Sequence, residues 1–350
     1  MTSNLIPKVF LDANIVILAG KPPGGPTIAR LKDLVRAKLI TVLTTDLTCT
    51  EVAKKHAQND YDVIKEVGRP HFRKIVDEVL GTKLPDTTKA ELTAKLAETY
   101  DKSTKAMFKG LKAKTLAIDN VKLSIVFSAY ASGEGFFSGE GKKDQFPDAF
   151  IFECLKAEAS EESPVIVVSM DGDFVKPIQG QKNITLVKSL PELLKKLGLQ
   201  VEAPEVEDFL EGHSDELVEA VDRELSDWGL IGDVEDSEID ASEVTEVEVK
   251  EVTSFGSAEK GGSILVVALL SVKANLGFTH PNWDDAAYDS EDKRLIPFED
   301  VSGEVEVSFD VDVSMSIAVD EDGKPEEIEE LRFRSSEFQY VELHPDDFYK

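Results

Sequence analysis

The stretch Val9–Leu18 reads VFLDANIVIL, and it decides how the first half of the chain is predicted to fold. The apolar run at 9–11 is interrupted by Asp12 and Asn14, and the apolar residues then resume. This pattern is typical of a buried strand followed directly by a helix. Asp12 would then lie at the carboxyl end of the strand, which is the edge where open α/β sheets bind ligands. A carboxylate placed there costs free energy unless it binds a metal ion or accepts hydrogen bonds.

Other acidic residues occur at comparable places in the chain. Asp171 and Asp173 follow the apolar segment 164–169 (PVIVVS), which predicts a second buried strand. Glu51 and Asp148 lie near the starts of two predicted helices. If the strands are parallel, these acids converge on one edge of the sheet. The alternative for each acid alone is a helix cap or a first-turn residue that complements the helix dipole.

Carboxylates packed together raise each other's pKa, and a divalent cation relieves that repulsion. A site made only of oxygen ligands suits Mg²⁺ or Mn²⁺. Such a site can support phosphodiester cleavage with one or two metal ions. The residues alone therefore indicate a metal-dependent phosphodiesterase site.

Four motifs, taken in this order, resemble a PIN domain over about residues 7–197. They are LDAN (Leu11–Asn14), TCTEVAKK around Glu51, GKKDQFPDAF (Gly141–Phe150) and VVSMDGDF (Val167–Phe174). The third motif is similar to a branch with a KKxxFPDA segment ahead of its third acid. The resemblance implies a Rossmann-like α/β domain with a central parallel sheet, helices on both faces and metal-dependent nuclease activity, usually on RNA.

The resemblance also implies roles for individual residues. Asp12, Glu51, Asp148 and Asp171 would form the catalytic, metal-binding set, and Asp173 would be an additional metal-binding acid. Asn14 and Ser169 would support these ligands. From their place just ahead of Asp148, Lys142 and Lys143 are candidates for binding the scissile phosphate, the alternative being ordinary surface lysines.

Charge is distributed unevenly between the two parts of the chain. Residues 1–200 carry 29 Lys and Arg against 25 Asp and Glu, a net charge of +4, whereas residues 201–350 carry 10 against 43, a net charge of −33. The first part can approach a polyanion and the second should repel one. We therefore predict a nuclease domain over 1–200 and an acidic accessory domain over 201–350.

The accessory domain is predicted to be α+β. Residues 202–208 have the composition of a linker, and an amphipathic pattern over 209–228 predicts one helix. Period-two alternation then predicts long antiparallel strands, most clearly over 303–319. This domain would keep the protein in solution, bind a protein partner or a second copy of the chain, or shield the basic face of the nuclease domain.

Two aromatic residues and an apolar segment lie between Glu51 and Asp148, and each has two possible interpretations. Phe136 and Phe137 lie in a Gly-rich loop, where they would either anchor the loop to the core or stack on bases. The loop lacks the Gly-Lys-Ser/Thr ending of a P-loop, which argues against a nucleoside triphosphate site. The segment 121–127 alternates like a strand, but its context favours a helix.

Hydrophobicity, the cysteines and the absence of other catalytic motifs exclude several classes of protein. No apolar run approaches the roughly 18 residues of a membrane span, and the N-terminal sequence lacks a signal-peptide layout. Cys49 and Cys154 are far apart and predict free thiols in a reducing compartment, so we expect a cytoplasmic protein without membrane association. No His-based metal motif or Ser/His/Asp nucleophile pattern is present.

The sequence thus favours a metal-dependent endoribonuclease that acts as a toxin or in a phage-defence or stress response, the last point resting on the resemblance alone. A non-catalytic RNA- or protein-binding module on the same scaffold is one alternative. A structure-specific DNA nuclease is another, because metal chemistry at the phosphate is common to both nucleic acids. The resemblance favours RNA over DNA.

Overall fold

The computed structural model describes residues 6–138, 145–201, 204–256, 262–289, 294–334 and 339–343. The chain divides into two compact units, Met1–Gly198 and Leu199–Lys350. Each unit has its own sheet and its own set of buried apolar side chains. Among the described residues, no helix is both long and apolar enough to cross a membrane.

The first unit contains a five-stranded parallel sheet, which confirms the predicted fold class. Its strands are β1 (Lys8–Leu11), β2 (Thr41–Thr45), β3 (Lys114–Leu116), β4 (Val165–Val168) and β5 (Ile184–Val187), in the spatial order β3-β2-β1-β4-β5. β1 is central and pairs with β2 on one side and β4 on the other. The residues that follow β1 and β4 are therefore neighbours at the carboxyl edge of the sheet.

Helices connect these strands. They are α1 (Ala13–Leu18), α2 (Pro26–Arg36), α3 (Asp46–Ile64), α4 (Pro70–Leu80), α5 (Lys89–Gly110), α6 (Leu123–Ser132), α7 (Phe146–Glu158), α8 (Val175–Ile178) and α9 (Leu190–Lys196). The predicted helical character of segment 121–127 is confirmed by α6. The short strand β3 was not predicted, because its three residues lack an apolar run.

Both faces of this sheet are covered. Phe10, Val165 and Val167 point to one face and form a cluster with Phe152 and Leu155 of α7. Their neighbours along β1 and β4, such as Val9 and Val168, point to the other face and are also fully buried. Strands covered on both faces read as continuous apolar runs, which is why β1 and β4 are evident in the sequence.

The second unit is an antiparallel sheet covered by helices, as predicted. β6 (Gln200–Val201), β8 (Glu238–Phe255), β9 (Ile264–Pro281), β12 (Asp300–Val319) and β13 (Pro325–Phe333) form the sheet in the order β13-β12-β9-β8-β6. A hairpin of β10 (Ala287–Asp289) and β11 (Arg294–Ile296) and a parallel pair of β7 (Leu230–Gly232) and β14 (Gln339–Val341) accompany it. Along β12, buried Val311 and Val313 alternate with exposed Asp310 and Asp312.

The predicted linker over 202–208 is wrong where the structure describes it. Residues Pro204–Gly212 form α10, and α11 follows over Ser214–Trp228, so the predicted single helix is interrupted at His213. Val206 and Leu210 of α10 are buried, while Glu207 and Asp208 face solvent. The polar side chains that suggested a linker are the exposed face of a helix, and its proline lies in the first turn, where proline is tolerated.

We predict that Leu270→Ala strongly destabilises the second unit. Leu270 is fully buried in β9, where it pairs with Val311 and Val249 of the flanking strands. The substitution leaves a cavity and should cost about 2–5 kcal/mol in the free energy of unfolding. Chemical denaturation followed by circular dichroism measures this change. Leu295→Ala is the matched control, because Leu295 is half exposed and should change stability by no more than about 0.5 kcal/mol.

Candidate active site

The central pair of strands brings Asp12 and Ser169 together at the carboxyl edge. Leu11, the last residue of β1, pairs with Val168, the last residue of β4. The backbone N–H of Asp12 donates to the carbonyl oxygen of Val168 at 3.0 Å, which extends the ladder by one residue. The side chains that follow the two strands consequently meet.

The Asp12 carboxylate is buried, with 7% of its surface exposed, and is held by three donors. One oxygen accepts from the backbone N–H of Ala13 at 2.8 Å, so that Asp12 also caps α1. The other oxygen accepts from Asn14 Nδ2 at 2.9 Å and from Ser169 Oγ at 2.5 Å. Burial nevertheless raises the pKa of Asp12 above its ordinary value, because these hydrogen bonds only partly offset the loss of hydration.

Ser169 links the two acids that follow β1 and β4. Its fully buried hydroxyl donates to Asp12 and accepts from the backbone N–H of Asp171 at 3.0 Å. Asp171 in turn caps the short 3₁₀-helix Gly172–Phe174 by accepting from the N–H of Asp173 at 2.8 Å. The position of Asp171 thus depends on the same serine that orients Asp12.

Glu51 approaches this edge from α3. The hydroxyl of Thr45, at the end of β2, accepts from the N–H of Thr48 at 3.0 Å, so α3 begins directly where the strand ends. Glu51 lies in the second turn of α3 and its side chain is exposed. Partial desolvation and then the nearby Asp12 carboxylate raise the pKa of Glu51, while Lys54 acts in the opposite direction.

Asp148 has the most strongly perturbed carboxyl group of the site. It lies in the first turn of α7, directly after Pro147. Burial, as the largest cause, and nearby carboxylates together raise its pKa from 3.8 to about 7. In decreasing order of influence these are Asp12, Asp171, Glu51 and Asp173. Each of the other four predicted acids therefore acts on Asp148.

The structure thus brings Asp12, Glu51, Asp148, Asp171 and Asp173 into one electrostatically coupled group, which we call the carboxylate cluster. Asn14 and Ser169 contact it through their hydrogen bonds to Asp12. Lys142 and Lys143 lie outside the described residues. Sequence reasoning did not select Lys54, although its position three residues after Glu51 on one helix indicates that the two side chains are neighbours.

The donor set of the carboxylate cluster fits a hard divalent cation in its chemistry. Its members offer only oxygen ligands, and burial together with neighbouring carboxylates raises the pKa of Asp12, Glu51 and Asp148. Asn14 Oδ1 is a further buried oxygen, and it has no hydrogen-bond partner among the residues that the structure describes. Within the described part of the chain, however, no three His, Cys, Asp or Glu side chains stand close enough to hold a metal ion. Metal binding would therefore require the carboxylates to approach one another.

Comparison with known families agrees with this geometry. A family model described as a PIN domain matches residues 9–174, a range that includes every member of the carboxylate cluster. The match supports a PIN domain in this part of the chain, and domains of this family are generally nucleases. The comparisons with curated proteins and with solved structures found no match.

We predict that Asp148→Asn stabilises the metal-free protein at pH 8. The folded-state pKa of about 7 exceeds the ordinary value of 3.8, so the ionised carboxylate costs the folded state free energy above pH 7. Removing that charge should raise stability by about 1–3 kcal/mol, given about 1.4 kcal/mol per pKa unit and partial exposure. The gain should shrink as the pH falls through 7 towards 4, where the wild-type carboxyl is protonated.

Calorimetry in EDTA across this pH range measures the effect. Asp119→Asn is the control, because Asp119 is exposed and lies outside the carboxylate cluster. Equal stability of wild type and Asp148→Asn at pH 8 would contradict the proposed repulsion.

We predict that Ser169→Ala destabilises the first unit by about 1–2 kcal/mol, because the buried Asp12 carboxylate loses a donor and the Asp171 N–H loses its acceptor. Thermal unfolding measures the loss. Ser132→Ala is the matched control, since the exposed Ser132 hydroxyl bonds only to carbonyls of its own helix. A similar change for both variants would show that Ser169 has no special positioning role.

Proposed function

We propose that this protein is a metal-dependent endoribonuclease that cleaves RNA phosphodiester bonds at the carboxylate cluster. The observation that carries this proposal is that burial, and then the four other carboxylates of the cluster, raise the pKa of Asp148 to about 7. If each acid served only as a helix cap, its carboxylate would accept local hydrogen bonds. The five carboxylates would then have no reason to lie near one another. The PIN-domain match over the same residues adds independent support.

Asp12, Asp148 and Asp171 are proposed as metal ligands, with Glu51 and Asp173 completing the set. When bound, Mg²⁺ or Mn²⁺ would supply Lewis-acid stabilisation of the charge that develops on the phosphate oxygens. Ser169 and Asn14 hold the Asp12 carboxylate in one orientation through their hydrogen bonds. The Asp12 oxygens are thereby oriented before substrate arrives, which lowers the cost of organising this part of the site.

The substrate and the biological setting belong to the same proposal. RNA is favoured over DNA because of the family resemblance, and the net charge of +4 over residues 1–200 allows a polyanion to approach. We also propose that this domain belongs to the branch with the KKxxFPDA segment and that Lys142 and Lys143 bind the scissile phosphate. We propose a cytoplasmic role as a toxin or in a phage-defence or stress response. The acidic second unit is proposed as an accessory domain that binds a protein partner or a second copy of the chain.

A cleavage assay tests the proposed activity. Purified full-length protein is incubated with labelled single-stranded RNA or DNA in Mg²⁺, in Mn²⁺ or in EDTA. We expect metal-dependent internal cleavage of RNA, and we expect Asp148→Asn to reduce the rate at least about a hundredfold because it removes a ligand. Asp119→Asn should cleave at the wild-type rate.

The outcomes separate the candidate functions. Cleavage of DNA but not RNA would replace the ribonuclease by a DNA nuclease with the same site. Binding of RNA without cleavage in any metal would favour the non-catalytic binding module. Cleavage that survives both EDTA and Asp148→Asn would contradict the assignment of the site.

Metal binding can be measured without substrate. We predict that Mn²⁺ raises the melting temperature of the wild-type protein, because the cation binds the folded state and relieves carboxylate repulsion. Asp12→Asn and Asp148→Asn should each reduce this rise, whereas Asp119→Asn should preserve it. An identical rise in all four proteins would place the cation elsewhere.

A further inference from the structure

Helix α6 presents an unusually apolar surface to solvent. Its sequence is LSIVFSAYAS, yet Val126 is the one residue described as buried among its ten. Leu123, Ile125, Phe127 and Tyr130 are between 40% and 63% exposed. A helix on the surface of a globular protein ordinarily turns such side chains inward. An exposed patch of this kind usually marks a binding surface.

The aromatic members of this patch are organised around a third ring. The rings of Phe127 and Tyr130 lie 5.2 Å and 5.0 Å from the ring of Phe146, measured between centroids. Tyr130 and Phe146 also rest against buried Phe137, at 5.3 Å and 4.9 Å. We call Phe127, Tyr130 and Phe146 the aromatic platform. Its rings contact one another through Phe146, and Tyr130 and Phe146 pack on the buried Phe137.

The aromatic platform adjoins the carboxylate cluster through the chain itself. Phe146 is the first residue of α7, and Asp148 lies in the first turn of the same helix. The platform residue Phe146 and Asp148 therefore lie within one turn of the same helix.

Charges beside the aromatic platform suit a polyanion. Exposed Lys122 directly precedes α6, and α6 itself contains no acidic residue. Exposed Lys176 donates from Nζ to the carbonyl oxygen of Ser138 at 3.2 Å, one residue beyond Phe137. Glu134 follows the C-terminal end of α6 and is the opposing charge on this segment. Exposed aromatic rings, with lysines in the adjoining segments, are a combination with which proteins bind single-stranded nucleic acids.

We propose that the aromatic platform stacks against unpaired bases of a single-stranded nucleic acid, next to the phosphodiester bound at the carboxylate cluster. This inference rests on the proposed nuclease function and adds the strandedness of the substrate. Bases of a duplex are already stacked on one another and cannot reach such a surface without being unpaired. Phe136 and Phe137, for which the sequence left stacking open, are both buried and anchor their loop instead.

Fluorescence anisotropy tests the aromatic platform apart from catalysis. All proteins carry Asp148→Asn, so that substrate survives, and the probes are a labelled oligouridine, its duplex with oligoadenosine and an abasic oligomer of equal length. Phe127→Ala should weaken binding of oligouridine about tenfold, and it should leave the abasic oligomer unaffected. Ile125→Ala is the matched control, because Ile125 is an exposed apolar residue of α6 outside the platform. Tyr130→Phe keeps its ring and should bind within about twofold of the parent protein.

Several results would overturn the proposal. These are equal binding by Phe127→Ala and Ile125→Ala, an equal loss on the abasic oligomer, tighter binding of the duplex, or no binding of any probe. Light scattering provides another, since a dimer that becomes a monomer on Phe127→Ala would make this face an interface between copies. Circular dichroism confirms folding, and Tyr130→Ala serves as the second variant if Phe127→Ala is unfolded.

The cleavage assay keeps the two proposals distinguishable. Intact metal-dependent cleavage by a Phe127→Ala protein that retains Asp148, together with unchanged binding, would remove the aromatic platform and leave the nuclease. Loss of stacking-dependent binding in Phe127→Ala, together with no cleavage by wild type, would keep the platform and remove the nuclease.

Discussion

The hydrogen bonds on the Asp12 carboxylate are the constraint on which the site depends. A buried carboxylate at a strand end is costly, and Ala13, Asn14 and Ser169 reduce that cost without removing it. Ser169 reaches Asp12 only because β1 and β4 are adjacent and in register. The order of strands in the sheet, the orientation of Asp12 and the position of Asp171 are therefore one connected arrangement.

The sequence predicts the structure best where burial on both faces of a sheet produces a continuous apolar run. β1 and β4 are covered on both faces and so read as apolar runs, and the amino-acid sequence alone therefore places the acids that follow them at one edge of the sheet. The first part of the helix Pro204–Gly212 was predicted as a linker, because the polar residues of its exposed face have the composition of a linker. β3 is too short to show a pattern, and the pair β7–β14 joins segments more than a hundred residues apart. Such pairing leaves no local signal.

The surface of α6 shows a different limit of sequence reasoning. The sequence favours a helix over 121–127 but does not indicate which residues are exposed, and only the structure reveals that Phe127 and Tyr130 face solvent and contact Phe146. The second unit is strongly acidic. Residues 201–350 carry a net charge of −33, and exposed carboxylates such as Asp310 and Asp312 line the outer side of β12. Nucleic acid is therefore expected to bind the first unit and not this sheet.

Anomalous X-ray diffraction from crystals soaked in Mn²⁺ tests most directly whether the carboxylate cluster holds a divalent cation, as we propose. We expect an anomalous peak within coordinating distance of Asp12 and Asp148, and its loss in crystals of Asp148→Asn. A peak at another place in the chain, or no peak at a Mn²⁺ concentration that supports cleavage, would contradict a metal site at the carboxylate cluster.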